Sequence, residues 1–273
     1  MSDRRSNSIG VPGVRLYYET QGKGPLLVMI GPGNSDADIF APLFPFLAPH
    51  FTLVTYDRRG YSRSRLANPE AELTIATHSE DLARLLSSLT SGPVFIFGSS
   101  AGAVVGLDFV IHRPDRVRTL IAHEPPVPSV LPQEMRNQLM EGKKAFEETA
   151  RREGPAAAMK MLAKNVGAPG RGEGTETPQQ RVLTAMEKEN QRFFLYQESK
   201  AIDDYLLDIE TLTLWSSKVI IGAGVSSKGF FPYLCSETLA KRLGKALVDF
   251  PADHAGFLRE PQNFSKALLG LLG

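Results

Sequence analysis

The sequence predicts an α/β fold in which a mainly parallel sheet is flanked by helices and interrupted by a helical insertion. First, short β-rich runs, several of them continuously apolar, alternate with amphipathic helical patterns up to residue 126. Second, runs of this kind are typical of strands buried on both faces of a parallel sheet. Third, the next eighty or so residues, 127–210, have helical patterns only, and strand character then returns. This order predicts βαβ units with a helical cap inserted between them.

The individual elements follow from hydrophobic period and from Gly and Pro boundaries. Strands are predicted at residues 14–19, 26–30, 51–56, 94–97, 117–122, 218–222 and 246–250. Helices are predicted at residues 77–89, 101–112, 134–152, 155–165, 178–200, 203–210, 236–243 and 261–272, with a flexible Gly-rich loop at 170–174. Residues 1–126 and 211–273 would then form the core domain, and residues 127–210 the cap.

Composition excludes several classes of protein. A net charge of +1 on 273 residues provides no general field that attracts nucleic acid or an anionic membrane. The one basic cluster, Arg58, Arg59, Arg63 and Arg65, is interpreted as a solvated loop with one or two structural ion pairs. We therefore expect no nucleic-acid or membrane partner.

Cysteine content and the N-terminus indicate a reducing compartment. The single cysteine, Cys235, cannot form an intrachain disulfide, and no Cys/His group has zinc spacing. Residues 1–7 are polar and basic without a following apolar stretch, and no apolar run reaches the length of a membrane span. A cytoplasmic location is therefore expected.

The run Gly98 to Gly102 follows an apolar strand and precedes an apolar helix, and it matches the pattern G-x-S-x-G. In such a strand–turn–helix the central serine occupies a strained turn that exposes its hydroxyl. Ser100 has glycine two residues away on both sides, whereas Ser99 does not. The following helix points its N-terminus at the turn, which favours negative charge there. Ser100 is the predicted nucleophile.

A serine hydroxyl needs a base to accept its proton, and five histidines are present. His254 follows the last predicted strand, at the sheet edge where the carboxyl ends of parallel strands meet. His50 precedes a strand and so lies at the opposite edge, while His123 is harder to exclude. His254 is therefore the predicted base, and His123 is left as a residue that lines the pocket or packs.

The base needs a carboxylate that fixes its tautomer. The loop after strand 218–222 contains neither Asp nor Glu, whereas Glu124 directly follows strand 117–122. Glu124 keeps the chain order Ser, acid, His, and it is the predicted acid. An ion pair or a place in the pocket wall is its alternative. Asp253 is expected to point away if His254 faces Ser100.

Two backbone N–H groups should bind the oxyanion of a tetrahedral intermediate. Ala101, directly after the nucleophile, supplies one. The loop after strand 26–30 should supply the second N–H donor. Pro32 has no N–H, so Gly33 is the predicted donor and Asn34 is the alternative.

These residues together resemble the α/β-hydrolase superfamily over nearly the whole chain. The run 57–64, Asp-Arg-Arg-Gly-Tyr-Ser-Arg-Ser, and the run 114–117, Pro-Asp-Arg-Val, are similar to segments that many members carry. The resemblance implies an α/β-hydrolase fold and acyl transfer to water. Haloalkane dehalogenases and soluble epoxide hydrolases carry Asp at the nucleophile position, so Ser100 disfavours their chemistries.

A narrower resemblance is to zearalenone lactonases and related lactone hydrolases. In that group the acid is a Glu in a His-Glu-x-Pro setting after the strand that follows the nucleophile helix. His123, Glu124, Pro125 and Pro126 stand at that place here. The resemblance supports a Ser-Glu-His triad and does not fix the substrate.

The expected function is hydrolysis of a medium-sized, largely apolar carboxylic ester or lactone, without metal or organic cofactor. Asn34, His123, Phe193 and Tyr196 are candidates for substrate contact. Three alternatives stay open: C–C bond hydrolysis, acyl transfer to another acceptor, and a non-catalytic binding protein on the same fold. A homodimer is also left open.

Overall fold

The computed structural model describes residues 3–168 and 183–273. Its centre is an eight-stranded sheet in the order β1-β2-β4-β3-β5-β6-β7-β8. The strands are β1 Arg5–Val11, β2 Val14–Gly22, β3 Leu26–Ile30, β4 Thr52–Tyr56, β5 Val94–Ser99, β6 Val117–His123, β7 Val219–Gly224 and β8 Val248–Phe250. The pairs β1/β2 and β2/β4 are antiparallel, and every other pair is parallel. The predicted α/β architecture with a mainly parallel sheet is confirmed.

Helices cover both faces of this sheet. They are α1 Phe44–Leu47, α2 Ile75–Leu89, α3 Ala101–His112, α4 Gln133–Glu153, α5 Pro155–Asn165, α6 Ala185–Phe193, α7 Ser199–Asp203, α8 Ile209–Leu214, α9 Phe231–Arg242, α10 Gly256–Arg259 and α11 Pro261–Leu272. One hydrophobic core contains residues of α2, α3 and α9, and a second contains residues of α1, α10 and α11.

The continuous apolar runs are strands because both faces are buried. In β3, Val28 and Ile30 belong to the first core, whereas Leu27 and Met29 belong to the second. Side chains alternate across a strand, so a central strand covered on both faces needs apolar residues at every position.

Between β6 and β7 the described residues form helices joined by turns and loops, without a strand, and we call this segment the helical connection. The predicted helix at 178–200 begins outside the described residues, and within them it is broken by one π-helical turn, Phe194–Glu198. The predicted helix at 203–210 is wrong, because the chain turns after α7 and helix α8 begins only at Ile209. The predicted flexible loop at 170–174 lies outside the described residues.

The carboxyl ends of β3, β5, β6 and β7 meet at one edge of the sheet, because these strands are parallel neighbours. The loops that leave this edge carry Ser100 and Glu124, and the loop after β8 carries His254. Topology therefore collects residues that are far apart in the sequence, as expected for an open α/β sheet.

Candidate active site

Ser100 occupies a strained turn between β5 and α3. Its backbone angles are φ 53° and ψ −122°, which a non-glycine residue rarely adopts. A Cβ on Gly98 would lie 2.5 Å from Gly102 O, and a Cβ on Gly102 would lie 2.2 Å from Ile30 O. Both glycines are therefore required by close backbone contacts, which gives the predicted G-x-S-x-G pattern its physical reason.

The turn is fixed to the neighbouring strand and opens onto a helix N-terminus. Ser100 N–H donates to His123 O at 2.8 Å, and Ser100 O accepts from Ala103 N–H at 2.8 Å. Ala101 is the first residue of α3, so its N–H has no partner within the helix. This end of α3 therefore presents an N–H donor and a positive dipole end beside Ser100.

Glu124 and His254 form a buried pair. His254 Nδ1–H donates to Glu124 Oε2, and Gly224 N–H donates to Glu124 Oε1 at 2.8 Å. Burial raises the pKa of the Glu124 carboxyl, but the bond from His254 and the other interactions around it outweigh this effect and hold the pKa below 4.5. The carboxylate is an acceptor only, so it fixes the proton on Nδ1 and leaves Nε2 of the neutral ring as an acceptor.

No other carboxylate competes for His254 Nδ1 among the described residues. Asp253 Oδ1 accepts from Ala255 N–H at 2.9 Å, and Asp253 Oδ2 lies 2.5 Å from Arg259 Nε. The loop after β7, where an acid is absent from the sequence, instead contributes the Gly224 N–H that binds Glu124.

Ser100 Oγ and His254 are not hydrogen-bonded to each other in the part of the chain that the structure describes. Such bonds between nucleophile and base are often long in unliganded enzymes and shorten with substrate. Ser100 is partly exposed and His254 is mostly buried. A substrate would therefore reach Ser100 from the solvent-exposed side of the turn.

The loop Gly31 to Asn34 packs directly on the first turn of α3, through the Gly102 contacts with Ile30 O and Gly31 O. Asn34 N–H donates to Tyr61 Oη at 3.4 Å. Gly33 N–H has no acceptor among the described residues. This leaves Gly33, rather than Asn34, with a free N–H donor in the loop that packs on the first turn of α3.

The other predicted substrate contacts have different surroundings. His123 is fully buried, packs its ring against Phe250 and Phe264 at centroid distances of 5.3 Å, and has no hydrogen bond from either ring nitrogen. Burial lowers the pKa of His123 to about 4, so the ring is neutral at pH 7. This burial argues against a place for His123 in a substrate pocket.

Two aromatic residues of the helical connection have their contacts at the loop after β4 and at the segment 69–76. Phe193 covers Gly60 and makes an edge contact with Tyr61, with centroids 4.9 Å apart. Tyr196 is 61% exposed and lines a surface groove of about 590 Å³ with residues of the segment 69–76. Neither position supports substrate contact; the ring beside the loop Gly31 to Asn34 is Phe194, which fills the space over Gly33.

Sequence reasoning missed a buried ionic cluster beside this loop. Arg58 donates to Glu198 through Nη2 at 2.8 and 2.9 Å and through Nε at 3.1 Å, and both side chains are almost completely buried. Burial raises the pKa of Glu198, but the Arg58 guanidinium beside it lowers that pKa to about 2. The expectation of structural ion pairs for Arg58 and Arg59 was correct, whereas a solvated loop was wrong. Nothing in the local sequence links Arg58 to a partner 140 positions away.

Two features are absent from the described residues. No group of three or more His, Cys, Asp or Glu side chains there could hold a metal ion. No helix there is long and apolar enough to cross a membrane.

Comparisons with known proteins agree on the fold. A family model described as alpha/beta hydrolase fold matches residues 25–171. The uncharacterized hydrolase YraK of Bacillus subtilis (strain 168) is 34% identical over 98% of this chain and 96% of its own length. A zearalenone hydrolase of Bionectria ochroleuca is 31% identical over 45% of this chain, and the match spans only 48% of that protein.

A solved structure of similar fold is a thermophilic esterase from Thermogutta terrifontis. It superposes with a TM-score of 0.73 over 99% of this chain and 98% of its own, at 20% identity, which is evidence for the fold alone. The family match covers more than half of the chain, and the Bacillus relative is similar from end to end. The chain is therefore a hydrolase and belongs to the α/β-hydrolase family.

Proposed function

We propose that this protein is a serine hydrolase that cleaves a carboxylic ester or lactone through an acyl-enzyme, with Ser100, Glu124 and His254 as its triad. The observation that carries the proposal is the buried Glu124–His254 pair at the sheet edge where Ser100 stands in its strained turn. A carboxylate that holds one nitrogen of an imidazole leaves the other free to act as a base, which is the requirement for activating a serine.

In the first half of the reaction, His254 Nε2 accepts the Ser100 hydroxyl proton while Oγ attacks the carbonyl carbon. The N–H groups of Ala101 and Gly33 stabilise the oxyanion. His254 then donates its proton to the leaving alcohol oxygen, and the C–O bond breaks. In the second half, His254 accepts a proton from water, the hydroxide attacks the acyl-enzyme, and the acid leaves as Ser100 is reprotonated.

The helical connection is proposed to act as a cap over this edge of the sheet. Phe194 and Glu198, from its π-helical turn, already contact the loop after β3 and the loop after β4. Ligand pockets are lined mainly by apolar side chains, and the connection supplies several close to the core, so the proposed substrate is apolar and of small-molecule size. The half-length likeness to the zearalenone hydrolase makes lactones, zearalenone among them, substrates to be tested beside simple esters.

A fluorophosphonate probe and short p-nitrophenyl esters test the proposal. Wild-type protein should be labelled and should release p-nitrophenol, whereas Ser100→Ala should not be labelled and should lose turnover by at least about 10³-fold. Ser99→Ala is the matched control, because Ser99 is the adjacent serine but is fully buried in β5. It should still be labelled.

Three outcomes would contradict the proposal: an unlabelled wild type, a Ser100→Ala variant that keeps its turnover, or loss of labelling in Ser99→Ala alone. Product analysis on an ester, a lactone and a β-diketone then separates C–O from C–C cleavage, and an added alcohol acceptor reveals acyl transfer.

A further inference from the structure

The buried cluster around Glu198 connects the helical connection to the loop Gly31 to Asn34. One edge of the Arg58 guanidinium donates to Glu198. Its Nη1 donates to Gly31 O, and both Nη1 and Nη2 donate to Pro32 O at 3.2 Å. A single planar group thus holds two consecutive carbonyls of the loop on one side and a carboxylate on the other.

Tyr61 provides a second route between the same two places. Its hydroxyl donates to Glu198 Oε2 at 2.5 Å and accepts the Asn34 N–H at 3.4 Å. The ring is fully buried and lies under the Arg58 guanidinium, 5.0 Å from it. Glu198 therefore reaches both ends of the loop, through Arg58 at Gly31 and Pro32 and through Tyr61 at Asn34.

Gly33 lies between Pro32 and Asn34, and it makes a third contact, with the ring of Phe194. A Cβ on Gly33 would lie 2.2 Å from Cε2 of Phe194, so the Phe194 ring packs directly against the Gly33 backbone. Phe194 begins the π-helical turn that Glu198 ends. Turns of this kind interrupt α-helices at few places, frequently at functional sites. Here the turn places an aromatic ring against Gly33, and a carboxylate against Arg58 and Tyr61, which both bind the loop Gly31 to Asn34.

Stability alone does not account for the cluster. Replacing a buried ion pair by apolar side chains of similar volume is often neutral or stabilising, because the desolvation of both charges opposes their attraction. What an apolar pair lacks is the directional contact with the carbonyls of Gly31 and Pro32. The contact at Pro32 O fixes the plane of the peptide that contains the Gly33 N–H, whereas the contact at Gly31 O fixes the preceding peptide, which has no N–H because its nitrogen belongs to Pro32.

We propose that Glu198 is a positioning residue: through Arg58 and Tyr61 it holds the loop Gly31 to Asn34 so that the Gly33 N–H points at the oxyanion. The inference rests on the proposed function and deepens it. Glu198 touches no reacting atom, and its effect belongs to the step in which negative charge develops on the carbonyl oxygen. The helical connection thereby contributes to acylation as well as to substrate binding.

Glu198→Gln tests the proposal, because the amide keeps the volume but removes the charge that orients Arg58. We expect kcat on p-nitrophenyl esters to fall by about 10- to 100-fold while KM changes by less than about threefold. An arylboronic acid, whose tetrahedral Ser100 adduct places an oxygen in the same site, should lose affinity by a similar factor. Tyr61→Phe, which removes only the hydroxyl, should shift both quantities in the same direction and covers the case in which Glu198→Gln does not fold.

Asp81→Asn is the matched control. Asp81, in α2, forms a largely buried ion pair at 2.6 Å with Arg59, which is the neighbour of Arg58 on the loop after β4. Neither residue has a hydrogen bond or an ion pair with Gly31 to Asn34 among the described residues. The kcat of Asp81→Asn and its affinity for the boronic acid should both stay within about threefold of the wild-type values. The proposal is wrong if Tyr61→Phe, or folded Glu198→Gln, keeps the wild-type values, or if Asp81→Asn changes them as much. A wild type that hydrolyses esters and is labelled, beside unaffected variants, refutes this inference and leaves the proposed function intact.

Discussion

At the scale of single residues, the carboxylate that binds His254 is held by its position on the sheet. Glu124 follows β6, and its N–H donates to Gly222 O at 2.9 Å while its side chain accepts from Gly224 N–H. Its φ of 49° is strained for a residue with a side chain. Two hydrogen bonds to the neighbouring strand β7 hold the carboxylate under the imidazole in spite of that strain.

Glu124→Gln should therefore lower kcat by about 10³- to 10⁴-fold with little change in folding. The amide has nearly the same shape, but it cannot accept from both Gly224 N–H and His254 Nδ1–H, so the imidazole loses its tautomer and its counter-charge. Single-turnover kinetics on a p-nitrophenyl ester measure the loss, and the midpoint of thermal unfolding is the control. A variant within about tenfold of wild type would show that another group orients His254.

At the scale of elements, the sequence predicted well the elements that bury an apolar pattern and poorly those that do not. Helices α3, α5 and α11 begin and end where the pattern placed them. Strand β1 was missed because its side chains are mostly exposed, and it is held by backbone pairing with β2. The error at 203–210 has a local cause, since the Asp208 side chain accepts from Thr211 N–H at 2.9 Å and caps a helix that starts after it.

Because α3 lies in close contact with β3, an alanine at Gly102 should be far more damaging than an alanine at Gly142. In Gly102→Ala the new methyl would lie 2.2 Å from Ile30 O and 2.6 Å from Gly31 O, both backbone atoms. We expect a loss of about 1–3 kcal/mol in the free energy of unfolding, and loss of the proposed esterase activity because the loop after β3 must move. Urea unfolding and p-nitrophenyl ester turnover measure the two effects.

Gly142→Ala is the control for this prediction. Gly142 lies within α4, and a methyl group added there would meet no atom within 4 Å. Alanine should stabilise the helix there by about 0.5–1 kcal/mol and leave turnover unchanged. Equal effects of the two substitutions would mean that the close approach of α3 to β3 is not rigid.

At the scale of the whole molecule, the candidate site lies next to a hydrophobic core that encloses His123 and disfavours its protonation. His123 is enclosed by Phe97, Phe250 and Phe264, and burial lowers its pKa to about 4 from an ordinary 6.5. Between these two values the unfolded chain binds a proton that the folded chain does not. The contribution of His123 to stability is therefore unchanged above pH 6.5 and becomes unfavourable as pH falls toward 4.

His123→Phe should remove this part of the acid sensitivity. The wild type should lose about 2 kcal/mol of unfolding free energy through His123 between pH 7 and pH 5, and the variant should lose correspondingly less over the same interval. Urea unfolding at both pH values gives the two differences, and each protein is compared only with itself, so any change in packing cancels. Equal losses in both proteins would show that His123 is charged or solvated when folded.

The sequence by itself determined the fold class, the order of most strands and helices, and Ser100 as the residue to consider first, because all of these depend on local hydrophobic period and on glycines at tight turns. It also pointed to Glu124 as the acid, since chain order and an acid-free loop left few choices. Only the tertiary structure decided that His123 is enclosed and neutral, that Tyr196 faces solvent, and that Arg58 meets Glu198 from the far end of the helical connection. Those outcomes depend on burial and on contacts between segments more than a hundred residues apart, for which the local sequence carries no signal.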